Sequence, residues 1–248
     1  MNFLISAAQW DLFWKQFAIK GAYRTVLSGL QVTLEIAVFG LIIGIVIGTL
    51  IAVVKVIPSN NWFNKILKTL ADIYVGLFRG TPMVVQLLIG YFVLFPALGI
   101  KGITNLNVIS AIVIFGMNSG AYVSEIMRSG IQSVDPGQLE AARALGLPFG
   151  TSMLKVVIPQ AIKNILPTLG NEFISLVKET SVVSFIAVVD LTKAFKQIGD
   201  ANYSYMVPYL MLALVYLVLV YLITLLVKLL ERRMKKSDRR NWFRKSWR

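Results

Sequence analysis

The sequence predicts an all-α membrane protein with about five transmembrane helices, on three observations. Of 248 residues, 56% are hydrophobic and 15% charged, and the mean hydropathy is +0.70, far from the balance of a soluble domain. Five apolar stretches, near 26–54, 72–98, 106–127, 164–189 and 205–230, are long enough for the hydrocarbon core, which takes roughly 20 helical residues. Lys and Arg gather in alternate connections between those stretches, as the positive-inside rule requires of a multi-pass chain.

Residues 1–24 form an N-terminal segment that lacks the basic start and small-residue cleavage site of a signal peptide. It is expected to be retained and to lie at the external interface through Trp10, Phe13, Trp14 and Phe17. The transmembrane region follows over 25–230, with a long connection over about 131–163, and a basic tail closes the chain over 231–248. The connections after the first and third spans and the tail hold 18 Lys and Arg, against 6 on the other side. This bias places the N-terminus outside and the C-terminus in the cytoplasm. The net charge of +13 is then a topology anchor on anionic lipid, with Trp242 and Trp247 at headgroup level. No nucleic-acid partner is expected, because no soluble domain exists to shape a groove.

Certain chemistry is excluded. The chain has no Cys and no His, hence no disulfide, thiolate or imidazole, and no metal site or catalytic residue is expected. No paired-carboxylate motif of recognised spacing offers itself to an enzyme.

The first span holds Gly40, Gly44 and Gly48 at a spacing of four, a small-residue stripe suited to close helix crossing within the bundle. The second is too long to stand upright: Lys65 to Leu98 is 34 residues, about 51 Å as continuous helix. A break is expected at Gly80-Thr81-Pro82, with Thr81 capping a second half-helix and Pro82 in its first turn.

Between the third and fourth spans, Asp135 is suited to an N-cap, Pro136 to a first helical turn, and Gly146 to a helix end. A second short segment, roughly 150–158, runs to Pro159, and Pro167 punctuates the entry to the fourth span. Ala141, Ala142 and Ala144 give the short helix a small, close-packing face. Such a helix is marginal alone in water and needs a partner on its far side.

The run Glu140-Ala141-Ala142, then Gly146, then Val156 with Ile158-Pro159 resembles the EAA motif of bacterial ABC importer permeases: EAA, three residues, Gly, nine residues, Ile-x-Leu-Pro. Val and Ile replace Ile and Leu here, both volume-compatible exchanges. The stretches "RGTP" (79–82), "GAYVSEIMRSGIQSVDPGQLEAA" (120–142) and "LVKETSVVS" (176–184) are similar to the subgroup that imports polar amino acids. The resemblance implies a type I importer permease fold with a cytoplasmic coupling helix docked on a separate ATPase. Glu140, Ala141, Ala142, Arg143, Gly146 and Pro159 would be the coupling residues. It also implies a dimer of cytoplasmic ATPase subunits, a second permease subunit (this chain or a paralogue), and an extracytoplasmic amino-acid-binding protein. No phosphate loop of the form G-x-x-x-x-G-K-[ST] occurs, so the chain is expected to carry no cofactor, with ATP and Mg bound by the partner ATPase.

Polar groups inside a membrane are costly, about 2.5–3.5 kcal/mol for a central charge, and tend to face a partner or a cavity. A half-helix start at Thr81 to Met83 favours an anion, which places a solute carboxylate there with Gln86 one turn deeper. Asn118, Ser119, Tyr122 and Glu125 on the third span, and Glu172 and Glu179 on the fourth, complete the candidate substrate residues. Structural pairs compete with that reading: Asp72 with Arg79, and Lys178 with Glu179 or another acid. The acids Glu125, Glu172 and Glu179 outnumber Lys178, which leans toward an arginine- or lysine-like solute. The competing function is an ion-gradient-driven secondary transporter or channel, which leaves the EAA helix without a role.

Overall fold

The computed structural model describes residues 7–57, 61–100 and 102–245, with backbone only for 235–245. It is helical throughout these residues. In order, α1 (Ala7–Trp14), α2 (Tyr23–Val56), α3 (Trp62–Gly80), α4 (Met83–Ile89) and α5 (Phe95–Ala97) lead into α6 (Leu106–Gln132). After these come α7 (Pro136–Ala144), α8 (Phe149–Ser152), α9 (Ile158–Glu179), α10 (Leu191–Asn202) and α11 (Met206–Lys245). Helices α2, α6 and the Met206–Met234 part of α11 are long and apolar enough to cross a membrane, and α3 with Met83–Ala97, bent by 108° at the break between them, makes a fourth if the bent pair is one span. Helix α9 covers the expected fourth span, 164–189, only as far as Glu179. It falls short on composition because it carries Lys163, Asn164, Asn171, Glu172, Lys178 and Glu179.

The most extensive helix pair is α2 with α6, and the glycine stripe is the cause. A Cβ on Gly40 would lie 3.2 Å from the Phe115 Cβ; one on Gly44, 2.7 Å from Ser119; one on Gly48, 2.7 Å from Val123. Only hydrogen at these positions lets the two backbones approach so closely. Gly29 extends the stripe toward the chain's start: a Cβ there would lie 2.7 Å from the Asp190 carbonyl oxygen. The opposite face of α2, with Phe39, Ile42, Val46 and Leu50, is exposed, as suits contact with lipid.

Three apolar clusters stack along the bundle. The central one joins Ile36, Leu87, Phe115, Leu176, Val183 and Ile186. At the end carrying α7, Val123, Val134, Met153, Val157 and Ile165 pack together. At the other end, Phe13, Leu191, Phe195, Ile198 and Val207 do so. This last cluster takes Phe13 out of the set expected to face the interface. Phe13 is 2% exposed, stacked on Phe17 at 5.4 Å, and held inside the protein by α10, while Trp14 alone of the four stays open at 48%. The reason is α10, an amphipathic helix capped by Asp190, whose carboxylate accepts from the backbone N–H groups of Thr192 and Lys193. The side chains of Trp242 and Trp247 lie outside the described residues.

Two proline expectations are also corrected. The segment after α8 does not stop at Pro159: a π-helical turn, Met153–Val157, runs straight into α9, with Pro159 in its first turn. Pro167 lies inside α9, not at its entry. Pro159 needs no amide partner at a helix start; Pro167 withdraws one hydrogen bond from the ladder, and packing of α9 against α6 and α11 outweighs that loss.

Candidate functional site

The expected break falls between α3 and α4, which meet at 108°. Its chemistry differs from the expectation. Thr81 does not cap α4. It takes the C-cap position of α3 and donates its hydroxyl to the Leu77 carbonyl at 2.8 Å, while Pro82 occupies the N-cap without a side-chain cap bond. Gln86, 9% exposed, folds back over the joint. Its Nε2 donates to the Phe78 carbonyl at 2.7 Å, the Thr81 carbonyl at 3.0 Å and the Thr81 Oγ1 at 2.8 Å. Its Oε1 accepts from Asn118 Nδ2 at 2.9 Å. Both ends of this amide are therefore engaged within the protein, and Asn118 also reaches the Phe78 carbonyl at 3.3 Å.

One residue further along α6, Ser119 donates to Glu172 Oε1 at 2.9 Å. Glu172 is half-buried on α9, and Ser119 is held from behind by the missing side chain of Gly44. Glu179 lies two turns beyond Glu172, exposed beside Lys178, with no close ion pair between them among the described residues.

Arg79, the next-to-last residue of α3, pairs with Glu125 on α6 and lies 5.2 Å from the centroid of the Tyr122 ring. Asp72 pairs instead with Lys55 of α2 at 2.7 Å, so the expected contact between Asp72 and Arg79 is replaced by two ion pairs that tie α3 to different neighbours. Tyr74 adds a third tie, donating to the Met117 carbonyl. The structure thus gathers Thr81, Gln86 and Asn118 into one network, Ser119 and Glu172 into a second, and Tyr122 and Glu125 around Arg79. Met83 packs against the central core.

Helix α7 has the expected ends. Asp135 accepts from the Gly137 N–H at 2.9 Å, Pro136 fills the first turn, and Gly146 takes the left-handed conformation at φ +83°. The Leu147 N–H bonds to the Ala142 carbonyl and the Gly146 N–H to the Arg143 carbonyl, the paired closure that glycine makes possible. The alanines, however, divide. Ala142 is 5% exposed against the protein, whereas Glu140, Ala141, Arg143 and Ala144 face outward. Leu145, which sequence reasoning passed over, is 83% exposed at the tip. Its position one residue before the closing glycine was the available signal.

This is a helical membrane permease with a short, outward-facing helix between two of its spans. Residues 40–236 match the family described as binding-protein-dependent transport system inner membrane component, and the chain belongs to that family. The arginine transport system permease protein of Bacillus subtilis is 42% identical over 213 residues, covering 86% of this chain and 94% of that protein. The putative glutamine transport system permease protein of Rickettsia prowazekii is 42% identical over 210 residues, covering 84% and 92%. Among solved structures, a crystal structure of an amino acid ABC transporter with histidines aligns at a TM-score of 0.78 and 40% identity, over 88% of this chain and 97% of that one. The methionine ABC transporter in an inward-facing form shares the fold at a TM-score of 0.64 and 21% identity. These relatives are permease proteins and ABC transporters, transport components rather than enzymes.

Proposed function

We propose that this chain is the membrane subunit of an ATP-driven importer of polar amino acids, arginine- or lysine-like by preference. Its N-terminus lies outside, its C-terminus and α7 in the cytoplasm, and its basic tail on anionic lipid. Two copies, or one copy and a paralogue, form the pathway above an ATPase dimer that carries ATP and Mg. An extracytoplasmic binding protein delivers the solute. The relatives named for arginine and glutamine support the substrate class, and the family description supports the binding protein. Family membership also favours this reading over a secondary transporter driven by an ion gradient.

The observation that carries the preference is Glu172, a half-buried carboxylate oriented by Ser119 with Glu179 two turns away. Two acids at this depth attract a cationic side chain. The engagement of Gln86 and Asn118 with each other shifts the solute away from their amides, leaving Thr81 and Met83 as the rim and Tyr122 and Glu125 as the flank. On the other side, Glu140, Ala141, Arg143 and Leu145 form the surface that meets the ATPase, with Ala142, Gly146 and Pro159 fixing its pose.

Reconstitution with the ATPase and binding protein tests this. ATP hydrolysis is measured against arginine, lysine, histidine, glutamine and glutamate. Stimulation by arginine or lysine, lost in Leu145→Asp, is expected. Stimulation by glutamate alone overturns the preference, and failure to associate with any ATPase overturns the function.

A further inference from the structure

An open cleft of about 620 Å³ lies between the adjoining ends of α2, α3 and α6, lined among others by Lys55, Lys68, Asp72, Arg79, Glu125 and Arg128. It is the most densely charged cavity described in the molecule; Glu172 and Glu179 do not line it, and Glu125, on the flank of the solute site, is shared by both. Its volume is in the usual range for a small-molecule site. Four cations face two acids, so the cleft carries an excess of positive charge where the Glu172 region carries an excess of negative charge.

The two acids are already bridged across helix boundaries, Asp72 to Lys55 and Glu125 to Arg79. Lys68 is turned to the Ile57 carbonyl at 3.2 Å. Arg128 is exposed and has no hydrogen-bond or ion-pair partner among the described residues. A planar guanidinium with five donors and no acceptor opposite it is suited to a carboxylate, and Asp72, 69% exposed at its side chain, can accept an ammonium.

A polar stripe on α6 joins the two regions. Asn118, Tyr122, Glu125 and Gln132 recur at helical spacing on one face, with Arg128 beside them. Asn118 is 4% exposed, Tyr122, Arg128 and Gln132 are open, and Glu125 between them is partly exposed.

We propose that this cleft is a second, weaker station for the transported amino acid at its exit, taking the carboxylate on Arg128 and Arg79 and the ammonium on Asp72 and Glu125. This rests on the amino-acid reading above. Cytoplasmic amino acid then occupies the station and inhibits further transport.

The experiment uses the complete importer in vesicles with the ATPase face outward and the binding protein and amino acid enclosed. ATP hydrolysis is followed while arginine is added outside. Inhibition by arginine is expected, without inhibition by its decarboxylated or N-acetylated forms. Arg128→Gln raises the half-inhibiting concentration about ten-fold, Arg128→Lys raises it less, and Lys65→Gln, outside the cleft, does not. Equal inhibition of wild type and Arg128→Gln overturns the proposal. So does equal inhibition by acetate or inorganic phosphate, which marks a plain anion site, or inhibition seen only with anionic lipid. Hydrolysis stimulated from inside but indifferent to arginine outside overturns the cleft alone; no stimulation by any amino acid overturns both readings.

Discussion

Ser119 Oγ donates to Glu172 Oε1 at 2.9 Å, joining α6 to α9 across 53 positions of sequence. The bond fixes which way the half-buried carboxylate points, and a hydrogen bond to a charged group contributes about 1.5–3 kcal/mol. Ser119→Ala should therefore raise the concentration of arginine needed for half-maximal ATPase stimulation about ten-fold, and Glu172→Gln should raise it further. An unchanged titration curve in both variants would show that the solute does not meet Glu172.

Gln86→Leu keeps the volume but removes every bond across the α3–α4 joint, and it leaves the Asn118 amide buried with only the long contact to Phe78. A buried polar group left without partners costs about 1–3 kcal/mol. Thermal unfolding of the purified chain should show a matching loss of stability. A melting curve superposable on wild type would mean that water or another group closes the joint equally well.

Gly44→Ala places a methyl 2.7 Å from both Ser119 Cβ and Oγ, a clash that backbone separation alone can relieve. Overpacking of this kind costs about 1–3 kcal/mol, and here it also displaces the Ser119 hydroxyl from Glu172. Gly76→Ala is the counterpart, since nothing lies within 4 Å of its Cβ; helix propensity favours it by about 1 kcal/mol. Opposite shifts in unfolding temperature are expected, and equal shifts would contradict the close α2–α6 approach.

Ala187 has φ 63°, at the end of the turn Thr180–Ile186, a left-handed conformation that costs an L-residue about 1–2 kcal/mol. Ala187→Gly should stabilise the chain, while Gly146→Ala, at φ +83°, should destabilise it by about 1 kcal/mol. The sign of each change in chemical or thermal unfolding is the test.

The Lys196 hydrogen bond, then that of Tyr205, holds the Asp200 carboxyl below its ordinary value. A depressed acid contributes stability above the pKa of the unfolded chain and loses it as pH falls through the folded value. Any contribution of Asp200 should thus be present near neutral pH and vanish in acid below about pH 4. Comparing Asp200→Asn with wild type at both ends of that window checks the sign: the two should converge in acid.

Much of this was legible in the sequence where a local rule decides. Gly80-Thr81-Pro82 marks a break because the apolar run is too long; Asp135, Pro136 and Gly146 mark helix ends because each residue type satisfies a specific backbone need; the glycine stripe marks a close crossing. Partner choice was not legible. Asp72 and Arg79 lie two turns apart on α3, but helices packed on either side offer Lys55 and Glu125 at better range. Phe13 looked interfacial because the amphipathic α10 that buries it comes about 180 residues later. Pro167 read as a boundary because its cost is local and the packing that outweighs it is not.

The Gln86 amide has one further consequence, for motion. A single planar group bonds the last turn of α3, the Thr81 linker and α6 at once. A corner braced from three sides should move as a bracket rather than as a hinge. When α3 tilts, α4 must swing through an arc with it.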